Sequence, residues 1–435
     1  TVNRRDGMDT LPTIVIGGGL AGLTAAATLA RDGRSVVVIE GASQLGGRAR
    51  TRHHDGFDLN LGPHALYIGG GASAVLRDLG VGAPGRRPRL HRSGVLAGEQ
   101  VVPAMRFLQR EVRQRRRLMG LITGRGRRGA DRLAGVTASE WIRDTLSDPG
   151  ALAVAASLLR TATYSADRDL LDAGAAAMQL RAATTRGVRY IDGGWATLVC
   201  GLAVQVRRHG GEIRTGVAAA AVEHDDQVHA VRLADGTTLP AAGVVVAVND
   251  PRQALGLLDG PAAARLADAV DDMVPLRMAH LDVALRPLPA AAHPNILGID
   301  RPVYLTVQSD VARVAPNGGA VIHVGRYLVP GEERRDHRPE LEHVLDVAQP
   351  GWRDHVVDVR YVPRSLVSGD HPRPATMGSR GRVVAGAPGV RGLAIAGDWV
   401  GPSGMLADAA MRSGQDAAAV VTAGSIATAR EAVAA

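Results

Sequence analysis

The stretch TIVIGGGLAGLTAAATLA, residues 13–30, decides the fold. Four residues rich in β-branched side chains run into Gly17-Gly18-Gly19-Leu20-Ala21-Gly22, and an alanine-rich, helix-favouring segment follows. This reads as strand, glycine turn, helix. Gly17 permits the tight turn, Gly19 lets backbone N–H groups approach a pyrophosphate, and Gly22 lets helix and strand pack closely, with the helix dipole favouring the anion. The spacing alone is weak evidence, so its context carries the inference. Residues 34–39 read as a second buried parallel strand and end in Glu40, suitably placed for a ribose hydroxyl. The pattern implies a dinucleotide.

The next segment, GASQLGGRART (residues 41–51), bears on which dinucleotide. An acidic residue closing the second strand, followed by L-G-G-R, resembles the flavoprotein superfamily of amine oxidases, phytoene desaturases and protoporphyrinogen oxidases. The resemblance implies FAD. It implies that Glu40 holds the adenosine ribose, and that Gly46, Gly47 and Arg48 lie along the phosphate and ribitol region. A guanidinium behind two glycines is also chemically suited to a phosphate. FDLNLGPHALY (residues 57–67) falls where that superfamily has a glycine-bearing segment near the flavin ring. Gly62 and His64 are the candidates there, His64 as a proton-transfer group because an unperturbed imidazole titrates near neutrality.

Two later segments carry the same resemblance. Ile191-Asp192-Gly193-Gly194-Trp195 introduces a helix-like stretch to Arg208; short strands then read at 212–217, 228–233 and 237–239, with Asp235-Gly236 as a hairpin turn, before the apolar run 244–248. The resemblance puts Val217 near the adenine, although an ordinary core valine fits the position equally well. Finally, residues 392–396 read as a strand, followed by Gly397-Asp398-Trp399 and a helix beginning near Met405-Leu406. By resemblance, Gly397 and Asp398 meet the pyrophosphate side, and Met405 and Leu406 turn backbone N–H groups toward the flavin, where a helix N-terminus stabilises negative charge.

The expected fold is therefore α/β: a Rossmann-like FAD-binding domain assembled from residues 1–70, 188–250 and 386–435, with an α+β substrate domain from 71–187 and 251–385. Strands are expected at 280–285 and 303–307. No signature in these intervening regions names a substrate.

The 435 residues include 54 glycines and are 46% hydrophobic, 22% charged and 3% aromatic, which suits a globular chain with close backbone packing. The formal charge is +8, yet no lysine occurs and all 51 basic residues are arginine, a pattern that also follows from biased coding. One cysteine, Cys200, excludes an internal disulfide and a thiolate zinc site, and no metal site is expected. No G-x-S-x-G elbow or H-E-x-x-H helix supports a serine hydrolase or zinc enzyme, and His53-His54 lacks partners. Residues 1–10 lack the apolar core of a signal peptide, and no apolar run reaches the roughly 18 residues needed to span a bilayer. A cytoplasmic location is expected.

At helical spacing, Met105, Leu108, Val112, Met119 and Ile122 form one stripe and Arg106, Arg110, Arg113 and Arg117 another. Residues 105–122 thus read either as a solvated basic face over a core or as a peripheral membrane contact. No nucleic-acid module accompanies the arginines. The expected activity is hydride removal from a C–H bond of a small, lipophilic or alicyclic substrate. Amine oxidation is the alternative, weakened because the lysine common in that group is missing; a sugar-mutase-like flavin isomerase and a flavin-free binding protein resembling GDP-dissociation inhibitors are further rivals. Trp399 and Tyr327 are candidates for an aromatic wall. The oligomeric state is not legible.

Overall fold

The computed structural model describes residues 11–123 and 126–434, with side chains described through 424. Residues 1–10, read above for targeting, lie outside the described residues.

A five-stranded parallel sheet has the spatial order Glu212–Thr215, Val36–Glu40, Thr13–Ile16, Gly243–Val246, Leu393–Ile395. Numbered along the chain, this order is 3-2-1-4-5, so the winding reverses between Thr13–Ile16 and Gly243–Val246. Ligands of open α/β sheets bind outside the carboxyl ends of strands at such a reversal. Thr13–Ile16 and Gly243–Val246 are buried on both faces, which explains their unbroken apolar runs.

Short side chains set the packing. In the first helix, Leu20–Arg31, Ala25, Ala26 and Ala27 have no exposed surface. The last helix, Leu406–Ala434, crosses it so closely that a Cβ on Gly414 would lie 2.4 Å from the Ala21 carbonyl oxygen. The abundance of glycine and alanine thus serves backbone-to-backbone contact.

A seven-stranded sheet has the order Val356–Ser368, Leu276–Leu285, Ala320–Tyr327, Val303–Val307, Asn295–Gly298, Gly94–Ala97, Gln100–Pro103. All its pairings are antiparallel except that of Asn295–Gly298 with Gly94–Ala97. Helices Arg115–Thr123, Ala138–Thr145, Pro149–Thr163 and Ala173–Thr185 share a second core. The strand expected from 280 begins at Leu276; almost every residue in it is buried, so no alternation marks its start. The strand expected over 212–217 stops at Thr215, because Gly216 turns with φ +71° and the Val217 N–H reaches the Glu40 carbonyl.

The reading of residues 105–122 as one amphipathic helix is corrected. Two helices, Ala104–Glu111 and Arg115–Thr123, are separated at Val112, whose backbone is extended. The neighbouring Asp148 accepts the Arg113 N–H, and Gln114 exchanges hydrogen bonds with Ser147. A Cβ on Gly150 would lie 1.9 Å from the Glu111 carbonyl oxygen, so the following helix is pressed against the break. These tertiary contacts override the local period. Val112 and Ile122 are buried while Met105 and Met119 are exposed, so the apolar stripe faces no single surface.

Candidate cofactor and substrate site

The turn after Thr13–Ile16 stands at the winding reversal. Gly17 has φ +108°, and a Cβ there would lie 2.3 Å from the Ala247 carbonyl oxygen; one on Gly22 would lie 1.9 Å from that of Gly17. Gly19 differs: a Cβ would meet nothing closer than the Gly46 carbonyl oxygen at 4.0 Å. Its backbone faces open space, as an approaching phosphate requires.

Glu40 accepts the Gly18 N–H through Oε2 and the Ala42 N–H through Oε1, both at 2.8 Å. The carboxylate is held rigidly, and each oxygen keeps a further lone pair for a hydroxyl. The half-buried Val217 packs on the core beside Glu40. Gly46 and Gly47 have φ +113° and +53°, and the Gly46 N–H binds the Gly18 carbonyl oxygen at 2.8 Å, clamping this turn to the first.

Arg48 and Asp398, 350 residues apart, form a bidentate pair at 2.9 and 2.8 Å. Asp398 is 1% exposed and Arg48 27%. Burial opposes ionisation of Asp398, but Arg48 outweighs it and holds the carboxyl below its ordinary range. Gly397 follows its strand, Met405 is buried, and Leu406 takes φ +55° at the start of the last helix. A β-carbon residue in that region is held there against its preference.

Gly19, Gly46, Arg48, Gly397, Asp398 and Leu406 border one cavity of about 520 Å³. Its other side is formed by Tyr67, Tyr164, Tyr190, Tyr304 and Tyr327, with His64, Trp195 and aliphatic residues between. Thus five of the six tyrosines meet here from positions scattered over the chain, a convergence that no sequence motif announces. Tyr327 is a wall residue, whereas Trp399 is fully buried in the core. Leu90 and Met119, both more than half exposed, form an apolar part of the rim.

His64 donates through Nδ1–H to the Gly62 carbonyl oxygen (2.9 Å) and meets Trp195 edge-on at 4.8 Å. Burial pushes its pKa down to about 4, against the opposing effect of its hydrogen bond to the Gly62 carbonyl. It is therefore a neutral imidazole near pH 7, with Nδ1–H as the donor to Gly62. Gly62, at φ +86°, lies against the His280 ring. Behind it, His280 and His323 both approach Asp282 Oδ1 through Nδ1, at 3.1 and 2.7 Å. This buried cluster was not anticipated. The exposed His53 pairs with Asp58, and no group of three or more His, Cys, Asp or Glu side chains is arranged to hold a metal ion among the described residues.

Asp408 was also missed. It lies on the cavity and accepts the Ala72 N–H at 2.8 Å, capping helix Gly71–Asp78 from outside. Burial pushes its pKa up to about 6, despite the Ala72 and Gly71 hydrogen bonds. The native state then holds this proton more tightly than the unfolded chain, so the carboxyl's contribution to stability falls as pH rises from about 4 to about 6. Asp408→Asn retains an acceptor for Ala72 and removes the charge. Relative to wild type it should gain about 2 kcal/mol across that window, read as unfolding midpoints against pH. A constant difference would mean that the carboxyl is well solvated.

A profile of the NAD(P)-binding Rossmann-like domain family matches residues 15–79. The inactive all-trans-retinol 13,14-reductase of Danio rerio is 48% identical over 61 residues, 14% of this chain and 10% of that protein. Pseudooxynicotine dehydrogenase of a Pseudomonas species is 53% identical over 49 residues, 11% of this chain and 10% of that protein. The chain thus covers only about a tenth of the length of these relatives. An oxidoreductase from Methanosarcina mazei superposes with a TM-score of 0.74 at 20% identity, over 93% of this chain and 99% of that one. A putrescine oxidase triple mutant superposes with a TM-score of 0.67 at 15% identity, over 95% and 99%. The chain shares the fold of these two solved proteins, with a Rossmann-like domain at its start.

Proposed function

We propose that the chain is an FAD-dependent oxidoreductase that oxidises a C–H bond of a neutral, largely apolar small molecule. The observation that carries this reading is that the glycine turns, the Arg48–Asp398 pair and the tyrosine wall border the same cavity. We assign residues 1–70, 188–250 and 386–435 to cofactor binding, and 71–187 and 251–385 to the substrate side. Gly17, Gly19 and Gly22 admit the pyrophosphate, Glu40 holds the adenosine ribose, and Val217 borders the adenine. Gly46, Gly47 and Arg48 follow the phosphate and ribitol, with Gly397 and Asp398 on the pyrophosphate side. Gly62 and His64 border the ring, and the backbone at Met405 and Leu406 faces its polar edge.

When bound, FAD supplies a two-electron acceptor for hydride. The tyrosines and Trp195 orient the donor carbon and exclude water; His64, neutral at pH 7, offers Nε2 as an acceptor rather than a proton to donate. The formally charged side chains on the cavity are Arg48 and Asp398, which neutralise each other, and Asp408. The tyrosine and aliphatic lining supports a neutral donor, whereas Asp408, largely ionised above about pH 6, is the one charge that an alkylammonium, the substrate of the second reading, amine oxidation, would meet.

The test is the visible spectrum of the purified protein, then anaerobic mixing with isoprenoids and with alkylamines, then air. Bleaching by isoprenoids alone supports the main reading, and bleaching by amines alone replaces it with the second. A protein that neither carries nor takes up FAD would refute both. Rapid recovery of colour in air marks an oxidase.

A further inference from the structure

Within the tyrosine wall four polar side chains form a closed group. Asn295 Oδ1 receives Tyr190 OH at 3.0 Å, Thr306 Oγ1 at 3.0 Å and Tyr304 OH at 3.5 Å. Tyr190 and Tyr304 are also joined at 2.8 Å, and Thr306 to Tyr190 at 3.1 Å. The three hydroxyls have three protons, and acceptors inside the group are available to all of them. Asn295 Nδ2 is left over: its two N–H donors have no partner among the described residues, although Asn295 is 6% exposed and lies on the cavity. Nδ2 is not among the fully enclosed polar atoms, so it opens to the cavity and takes its acceptor from a ligand or water there.

The group sits on the seven-stranded sheet, in Asn295–Gly298 and Val303–Val307, with Tyr190 from the neighbouring strand Val188–Ile191. The glycine turns, Gly397 and Leu406 belong to the five-stranded side. Substrate bound between them would meet the cofactor on one side and Asn295 on the other. We propose that Asn295 is a specificity-determining donor that recognises an oxygen acceptor, a carbonyl or hydroxyl, on an otherwise apolar substrate. This rests on the reading of the cavity as the substrate site. With Oδ1 toward the three hydroxyls, the Nδ2 donors face the cavity; an amide turned over would present its carbonyl to the cavity instead, and would show itself as a preference for a donor such as farnesylamine.

Three probes with a common chain separate these cases: farnesene, farnesal and farnesylamine. Binding is followed by the absorption of bound flavin, and by Trp195-dependent fluorescence quenching, which needs no flavin. Wild type should bind farnesal roughly 5- to 10-fold more tightly than farnesene, as one neutral hydrogen bond allows. Asn295→Leu should erase that preference while leaving farnesene unchanged. Asn295→Asp keeps the acceptor for the three hydroxyls, so it guards against misfolding of the leucine variant, and should bind farnesal less tightly than wild type. Equal binding of farnesal and farnesene by wild type, a preference for farnesylamine, a preference that survives both substitutions, or no binding of any probe overturns the inference. Loss of the redox reading alone would instead appear as quenching with the expected preference but no bleaching of flavin.

Discussion

Gly22→Ala and Gly17→Ala should each yield a protein that no longer retains flavin, with a loss of stability of about 4 kcal/mol or more, at the severe end of single substitutions. At Gly22 the added methyl would stand 1.9 Å from the Gly17 carbonyl oxygen, and at Gly17 it would stand 2.3 Å from that of Ala247. Neither neighbour is the movable end of a side chain. Relief would require separating the first helix from its strand, or opening the reversal between Thr13–Ile16 and Gly243–Val246. Gly17 carries a second penalty from φ +108°. Gly120→Ala is the control: nothing lies within 4 Å of its Cβ position, it sits in helix Arg115–Thr123, and its φ is not positive. It should stabilise by about 1 kcal/mol through helix propensity. Denaturant unfolding and the flavin content of each purified protein are the measurements; normal flavin in Gly22→Ala would refute the close approach of helix and strand.

The second large effect belongs to the Arg48–Asp398 pair. Asp398→Ala leaves a largely buried guanidinium with only the Val367 carbonyl, and should cost about 3 kcal/mol. Arg48→Met leaves a carboxylate that is 1% exposed without its counter-charge. In wild type the depressed pKa of Asp398 contributes stability above the unfolded-state value, lost as pH falls through the lower native value. Without Arg48, burial is opposed only by the smaller effects of Ser368 and Arg382, and that pKa rises. The deficit of Arg48→Met should therefore be small near pH 4 and grow toward pH 7. In the double variant the cost should fall short of the sum by about 2 kcal/mol, because no isolated charge remains. Additive costs in a double-mutant cycle, or a pH-independent deficit, would mean that the pair is solvated and contributes little.

Much of the cofactor side was legible because its determinants are local. A glycine that must sit under a carbonyl, and an acidic residue closing a strand, are fixed by a few neighbours along the chain. Even so, Arg48 and Asp398 were singled out separately, each for a phosphate-side role; nothing in either motif says that they pair. Val217 was ambiguous in the sequence because valine packs in a core or against a ligand equally well.

The amino-acid sequence by itself determined the strand–turn–helix at residues 13–31, the second strand ending at Glu40, and the return of the chain near 212–246 and 393–398, since period and glycine position act over a few residues. Tertiary structure decided the rest. It broke the helix expected over 105–122, where contacts from residues 147–150 outweigh an amphipathic period. It gathered tyrosines 67, 164, 190, 304 and 327 around one cavity and closed three hydroxyls on Asn295. It also turned His64 into a neutral imidazole and Asp408 into a carboxyl that titrates near 6. Burial and long-range proximity produce these properties, and neither is encoded in the spacing of residues along the chain.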